Sequence, residues 1–437
     1  MSFPNILMIT CHDLGQHLGC YGVDTVQSDN LDKLAERGIR FQNYFATAAT
    51  CSPSRGCIHT GRYPQANGLM GLTHEPWEWK FKPGERHLAD MLKEAGYETN
   101  LVGFQHVTRE DPHKLGYENV LSKKRDPKET VQTVKDLLDN RKKGDRPFFA
   151  KVGFTEVHRP FNKYDADAEK GVFIPPYMQE TPEIREDLAK FQGTIRFMDQ
   201  CIGEILDSLE KSEVAEDTIA IFTSDHGAPY IGAKWTLYDP GIKTPLIMYR
   251  PGSELQGGKV YTQLMSNVDF LPTLLDIIGV RIPDNVQGLS FKDIITGNRE
   301  EPVRDAIFAQ HTSHALRDNL SRCVRTDKYK LIRYFEPGRT ILFPTDAVPQ
   351  KVADHVERPR RNGKRPVVHL FDLEKDPHEF NDVAQSAEYA DVVRELSDRL
   401  WSWMEEVEDP LLKGPFPTPY YMEAIGDYRR FRQQKKR

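Results

Sequence analysis

The feature that most constrains the fold is a recurring one: short, unbroken apolar runs that each stop at a polar cluster. Ile6-Leu7-Met8-Ile9-Thr10 runs into Cys11-His12-Asp13, and the run 147–154 leads to Glu156-Val157-His158. Residues 98–103 lead to Phe104-Gln105-His106, and 218–223 lead to Ser224-Asp225-His226-Gly227. Apolar runs of this length, without polar alternation, read as strands buried on both faces. The run 245–249 is a further strand of the same kind.

Between these runs lie segments with helical spacing: 31–38, 88–96, 130–140 and 270–278. In 184–212, Leu188, Phe191, Ile195, Met198, Ile202, Ile205 and Leu209 recur on one helical face. The alternation predicts an α/β fold over residues 1–300, a large, mostly parallel mixed sheet sandwiched by helices. In such sheets ligands bind beyond the carboxyl ends of the strands. His12, Asp13, His106, His158, Asp225 and His226 are therefore expected to meet at one edge.

After Gly297 the pattern changes. Segments 323–326, 328–333 and 369–373 read as short antiparallel strands, followed by a helix over 389–406. They predict a second, smaller α+β domain over 301–437 with a short antiparallel sheet. The charged segment 354–365 reads as a surface loop, and the Pro- and aromatic-rich end from Pro410 as an extended arm.

The 437 residues suffice for one large and one small domain. A net charge of -6 leaves no basic excess to neutralise phosphates, which argues against nucleic acid as the main partner. Lys123-Lys124-Arg125 and Lys435-Lys436-Arg437 read as solvated basic surface. The first apolar run is too short to span a bilayer and lacks the basic flank of a secretory leader, so the chain is expected to be cytoplasmic with no membrane partner. Cys11, Cys20, Cys51, Cys57, Cys201 and Cys323 show neither metal-type nor disulfide-framework spacing, and all except Cys51 read as reduced thiols.

Cys51-Ser52-Pro53-Ser54-Arg55 is ambiguous taken alone. An unassisted thiol titrates near ~8.5 and needs a cationic or helix-terminal setting to act as a thiolate. Arg55 could supply one, or could be an ordinary ion-pair partner. The pentapeptide nevertheless resembles the motif in which the sulfatase family, within the alkaline-phosphatase-like superfamily, oxidises cysteine to formylglycine. Blocks across nearly the whole chain share the resemblance: Asn5 to Ile9 with Asp13-Leu14-Gly15, Leu18-Gly19-Cys20-Tyr21-Gly22, Thr60-Gly61-Arg62-Tyr63-Pro64, Phe222 to Gly227, Lys234 to Tyr238, Arg325 to Leu331 and Leu370 to Pro377. Ser224 to Tyr230, Leu237 to Gly241 and Asp145 to Phe149 look most like the sulfamidase (N-sulfoglucosamine sulfohydrolase) branch. Asp239-Pro240-Gly241 stands where arylsulfatases typically show Glu-Gly-Gly.

The resemblance implies a sulfuric ester hydrolase acting on a sulfated small molecule or saccharide. Formylglycine derived from Cys51 by a maturation enzyme would attack sulfur as its hydrate, braced by Arg55. It implies one divalent metal, Ca²⁺ in the family, on Asp13, Asp225 and His226, with His12 standing where a further Asp is expected. Imidazole from His12 and His226 would favour Mn²⁺ or Zn²⁺ over Ca²⁺. His106 matches a His that binds sulfate or steers protons, His158 one that protonates the leaving group, and Lys234 a Lys that clamps the sulfate. The family's Lys two residues before His106 is replaced by Phe104. His74, His311, His314 and Arg317 are further candidates for substrate contacts, each equally readable as surface. Two rival functions stay open at this stage: a phosphonate or phosphate ester hydrolase of the same superfamily, and an inactive sulfated-glycan binder.

Overall fold

The computed structural model describes residues 3–314, 317–335 and 366–414. In chain order the strands are β1 (Asn5–Cys11), β2 (Ile39–Phe41), β3 (Tyr44–Phe45), β4 (Glu98–Gly103), β5 (Asn119–Ser122), β6 (Phe148–Gly153), β7 (Thr218–Ser224), β8 (Leu246–Tyr249), β9 (Lys259–Tyr261), β10 (Met265–Ser266), β11 (Ile307–His314), β12 (Arg317–Arg325), β13 (Tyr329–Tyr334) and β14 (Val368–Asp372).

Eight of them form one sheet in the order β5-β4-β6-β1-β7-β8-β2-β9. Its central pairs are parallel, while β8 runs antiparallel to both β7 and β2. The expected mixed sheet is therefore present. The register lines up the strand ends: Thr10 lies opposite Gly153 and Thr223, and Gly103 lies opposite Gly153. Residues that follow these four strands must consequently emerge side by side. Gly153 permits the close spacing, since a Cβ there would sit 1.7 Å from the Phe104 carbonyl oxygen.

Both faces of the sheet are covered, as unbroken apolar strands require. Leu7, Ile9, Ala150, Val152, Ala220 and Phe222 join a core on one face; Ile6, Met8, Phe149, Ile219 and Ile221 join the core on the other. The helix Pro182–Lys211 supplies Leu188, Phe191, Ile195, Met198, Ile202, Ile205 and Leu209 to the first core. Its start is capped by the Thr181 hydroxyl, which accepts from the Ile184 amide at 3.3 Å. Among the described residues no helix is long and apolar enough to cross a membrane.

The smaller sheet, β11-β12-β13-β14, is antiparallel throughout and is covered by the helix Ala390–Glu406. The charged segment 354–365 lies outside the described residues; the end read as an extended arm from Pro410 starts instead with a 3-10 turn over Pro410–Leu412, and its part beyond Gly414 lies outside the described residues. The two sheets are joined by buried charge. Asp239, just past the Lys234 loop, takes Arg325 Nε at 3.1 Å and the Lys330 ammonium, and Lys330 also pairs with Glu379 at 2.8 Å. A second tie, Arg322 to Asp409 to Gln65, crosses the same boundary at 2.5 and 2.8 Å.

Burial alone would raise the Asp239 carboxyl, but Lys330 and Arg325 outweigh it and hold it well below the usual range. Asp239→Asn strips buried Arg325 of its carboxylate and leaves Lys330 with Glu379 alone, and breaking such a buried pair costs about 3 kcal/mol or more. The urea unfolding midpoint of the variant should fall accordingly at neutral pH. The contribution of a depressed carboxyl is present above its unfolded value of ~4 and is lost as pH falls through its folded value. The stability gap between parent and variant should therefore begin to narrow as pH falls below ~4.

Candidate active site

The loops after β1, β6 and β7 are zipped together by backbone. The His12 amide donates to the Glu156 carbonyl at 2.9 Å, and the Val157 amide returns to the His12 carbonyl at 3.0 Å. Asp13 sits in the left-handed region at φ 51°, and its amide donates to Asp225 Oδ1 at 3.0 Å. This turn brings two carboxylates, Asp13 and Asp225, into one buried volume.

Cys51 opens the helix Cys51–Thr60, and Pro53 sits in its first turn, where a missing amide hydrogen costs nothing. Its Sγ lies 3.3 Å from His226 Nε2. Burial pushes the Cys51 thiol well above its usual range despite the nearby Lys234. One turn on, Arg55 points down from the same helix face. Its Nε donates to Asp225 Oδ2 at 3.0 Å and its Nη2 to the Cys11 carbonyl at 2.7 Å. Its fork therefore clamps the strand ends beneath Cys51.

His12, Asp13, Cys51, Asp225 and His226 each offer a ligand atom, and these atoms lie within 4.8 Å of one another. The histidine hydrogen bonds show that this set suits a cation. His226 Nδ1 faces the Gly227 carbonyl at 3.0 Å, and a carbonyl can only accept. The proton is thus on Nδ1, and the Nε2 lone pair faces Asp13 Oδ1 at 3.2 Å. His12 Nδ1 is 3.1 Å from Asp13 and 3.2 Å from Asp225. Burial lowers the His12 pKa to about 4, so its imidazole is neutral near pH 7. Burial alone would raise both carboxyls. Lys234, His158 and His226 hold Asp13 low; His12, His226 and Arg55 do the same for Asp225.

Lys234 is buried, with its Nζ 2.7 Å from Asp13 Oδ2 and 3.4 Å from His158 Nε2. His158 Nδ1 donates to the Arg159 carbonyl at 2.7 Å, which leaves Nε2 as the working nitrogen. The His158 side chain is 31% exposed, so it bridges the buried cluster and solvent. His106, at φ 61°, packs on His12 and Phe104 with ring centroids 5.6 and 4.9 Å away. His74 Nδ1 lies 3.4 Å from His106 Nε2. Above the cluster opens a cavity of about 810 Å³ whose lining includes His12, Cys51, His74, His106 and His158.

The sequence candidates thus divide. Asp13, Asp225, His226, His12, Cys51, Arg55, Lys234, His158, His106 and His74 come together here. His311 is fully buried in β11 and does not line the cavity. The side chains of His314 and Arg317 lie outside the described residues. Asn267 was not legible from spacing. Its Nδ2 donates to Ser54 Oγ at 2.8 Å while its Oδ1 accepts the Thr47 amide at 3.0 Å, bracing both sides of Cys51. It follows the two-residue strand β10, too short to leave a periodic signal.

Residues 4–280 match the family described as Sulfatase, and residues 230–363 match the C-terminal region of N-sulphoglucosamine sulphohydrolase. The human N-sulphoglucosamine sulphohydrolase is 28% identical over 463 residues, covering 94% of this chain and 92% of its own. A structure solved in complex with its substrate D-glucosamine-2-N,6-O-disulfate superposes with TM-score 0.72 at 20% identity, covering 94% of this chain and 99% of that one. The phosphonate monoester hydrolase of Agrobacterium radiobacter superposes with TM-score 0.71 at 21% identity, covering 92% and 96%.

Asp225→Asn removes a carboxylate charge from the group that could hold a cation, and the counter-ion of buried Arg55. Divalent-metal affinity measured by titration calorimetry should fall by more than the ~10–100-fold typical of losing an outer partner. Unchanged affinity would place the metal elsewhere.

Proposed function

The chain belongs to the sulfatase family, and on that premise we propose that it hydrolyses a sulfate ester or sulfamate on a sugar, using formylglycine made from Cys51. It is a sulfuric ester hydrolase. The observation that carries the residue assignment is the seat of Cys51. It lies at the first turn of a helix, against His226, at the floor of the cavity and beside two buried carboxylates.

Asp13, Asp225, His226 and His12 would hold one divalent cation. Formylglycine would supply a geminal-diol oxygen as nucleophile toward sulfur, and the cation would neutralise anionic oxygens. The residues supply the rest. Asp13 and Asp225 are balanced by Arg55 and Lys234, so a divalent cation leaves the site with a net positive charge suited to an anionic ester. Lys234, whose ammonium lies 2.7 Å from Asp13 Oδ2 and 3.4 Å from His158 Nε2, would clamp a sulfate oxygen brought in beside the cation. His158, oriented by the Arg159 carbonyl, holds Nε2 toward the cavity and can pass a proton to the leaving oxygen or nitrogen. His106 and His74 form the adjoining wall.

The sulfamidase-like substrate is supported by the match of residues 230–363 and by the human relative. Two imidazoles among the donors support Mn²⁺ or Zn²⁺ over the family's Ca²⁺. A phosphonate-ester activity is the second reading, favoured by the likeness to the phosphonate monoester hydrolase.

Cys51→Ala should abolish turnover of N-sulfoglucosamine while leaving the thermal midpoint within a few degrees of the parent. Mass spectrometry of the Cys51 peptide from the native host should find the aldehyde or its hydrate. Retained turnover in the variant, or an intact thiol in active protein, removes formylglycine from the mechanism. Higher efficiency on a phenylphosphonate monoester than on any sulfated substrate would favour the second reading. His12→Asp should raise Ca²⁺ affinity relative to Mn²⁺ by about tenfold or more in calorimetry; an unchanged ratio would take His12 out of metal selection.

A further inference from the structure

Lys123-Lys124-Arg125 reads in sequence as a solvated basic run, and the fold splits it. The segment lies between β5 and the helix Pro127–Asp139 without helical structure, so successive side chains can diverge. Lys124 turns to Glu129, Nζ to Oε2 2.7 Å. Lys123 and Arg125 instead line the cavity above Cys51, as does Lys163 from the loop after β6.

Arg125 has a seat there. Its Cζ lies 4.6 Å from the centroid of the Phe104 ring, a cation–π distance. The same ring touches His106 and His12, at 4.9 and 5.1 Å between centroids. The resembled family carries a Lys at residue 104. Here an aromatic side chain at that position holds a guanidinium from another loop.

Other charges of the lining are already engaged. Arg159 pairs with Asp187, Nη1 to Oδ1 2.9 Å, and Arg109 with Glu75 at 3.2 Å. Glu110 pairs with Lys114 at 2.8 Å, and Glu156 accepts from the Tyr164 hydroxyl at 2.8 Å. Lys123, Arg125 and Lys163 form no ion pair among the described residues. The Glu156 carboxylate meets only neutral hydroxyls among the described residues, so its charge counts against them, but three cations outnumber it around one concave space and focus a positive potential into it. The cavity, about 810 Å³, is also far larger than a sulfate group needs.

We propose that Lys123, Arg125 and Lys163 form a second anion-binding subsite, with Phe104 as the platform that positions Arg125. It takes a sulfate or carboxylate carried by the substrate apart from the group that is cleaved. The subsite rests on the sulfatase reading above and selects multiply charged saccharides over singly sulfated compounds. Phe104 acts through Arg125 and is a positioning residue.

The test compares kcat/KM of mature enzyme on p-nitrophenyl sulfate, D-glucosamine-2-N,6-O-disulfate and an N-sulfated disaccharide bearing a uronate carboxylate. Wild type should prefer one of the doubly charged sugars, and which one distinguishes sulfate from carboxylate as the second group. In Arg125→Ala the ratio of doubly to singly charged efficiency should fall about tenfold, through KM rather than kcat. Phe104→Leu should lower the same ratio, while Lys124→Ala should leave it unchanged. The three cations are solvent-exposed, so their variants fold, which a melting curve checks. No preference in wild type, or equal losses on all substrates in Arg125→Ala, overturns the subsite. If wild type turns over no sulfated compound, the sulfatase reading fails separately. Calorimetric binding of the disulfated sugar then decides the subsite: weaker binding in Arg125→Ala upholds it, and equal or absent binding overturns it.

Discussion

Two carboxylates that cannot share a dry space unaided organise this molecule. Asp13 and Asp225 follow β1 and β7, adjacent parallel strands whose last residues lie opposite each other, Cys11 against Ser224. The sheet register leaves them no route apart, and burial makes their mutual repulsion expensive. Every neighbouring feature answers that charge. Arg55 reaches one carboxylate from below, Lys234 reaches the other from the side, and His12 and His226 turn ring nitrogens toward both. Such a cluster is a ready seat for a divalent ion. It also explains why Arg55, on the same helix as Cys51, is spent on the strand ends.

The smaller sheet belongs to this arrangement. The Gln310 amide donates to the Thr47 carbonyl at 2.8 Å, four residues before Cys51. Arg325 and Lys330 hold Asp239, which follows the Lys234 loop. The segment that carries Cys51 and the loop that carries Lys234 are thus both pinned from the C-terminal side. Rigidity at those two points keeps reacting groups aligned within the tolerance that catalysis requires.

Much of this was legible in the residues. The unbroken runs at β1, β4, β6 and β7 announced a doubly covered sheet, because only strands buried on both faces dispense with polar alternation. The stripe of the helix Pro182–Lys211 was equally plain. The strands β2, β5 and β9 were not foreseen: each is three or four residues long, and strands of that length carry no period to read. Asn267 and Phe104 show the same limit within the site, since their roles depend on partners more than 20 residues away in the chain. The basic run 123–125 is exposed, as its composition predicts, but charge composition says nothing about which side chains of a loop border a cavity.

The sequence by itself determined the chemistry that can occur: which strands are buried, which carboxylates and imidazoles end them, and a cysteine whose pentapeptide resembles the family's modification motif. Those are properties of residue type and short-range spacing. The tertiary structure decided which of these groups share one space, which cations are consumed holding it together, and which are left facing an open cavity. Strand register and loop direction control those outcomes, and they are settled only when distant segments pack.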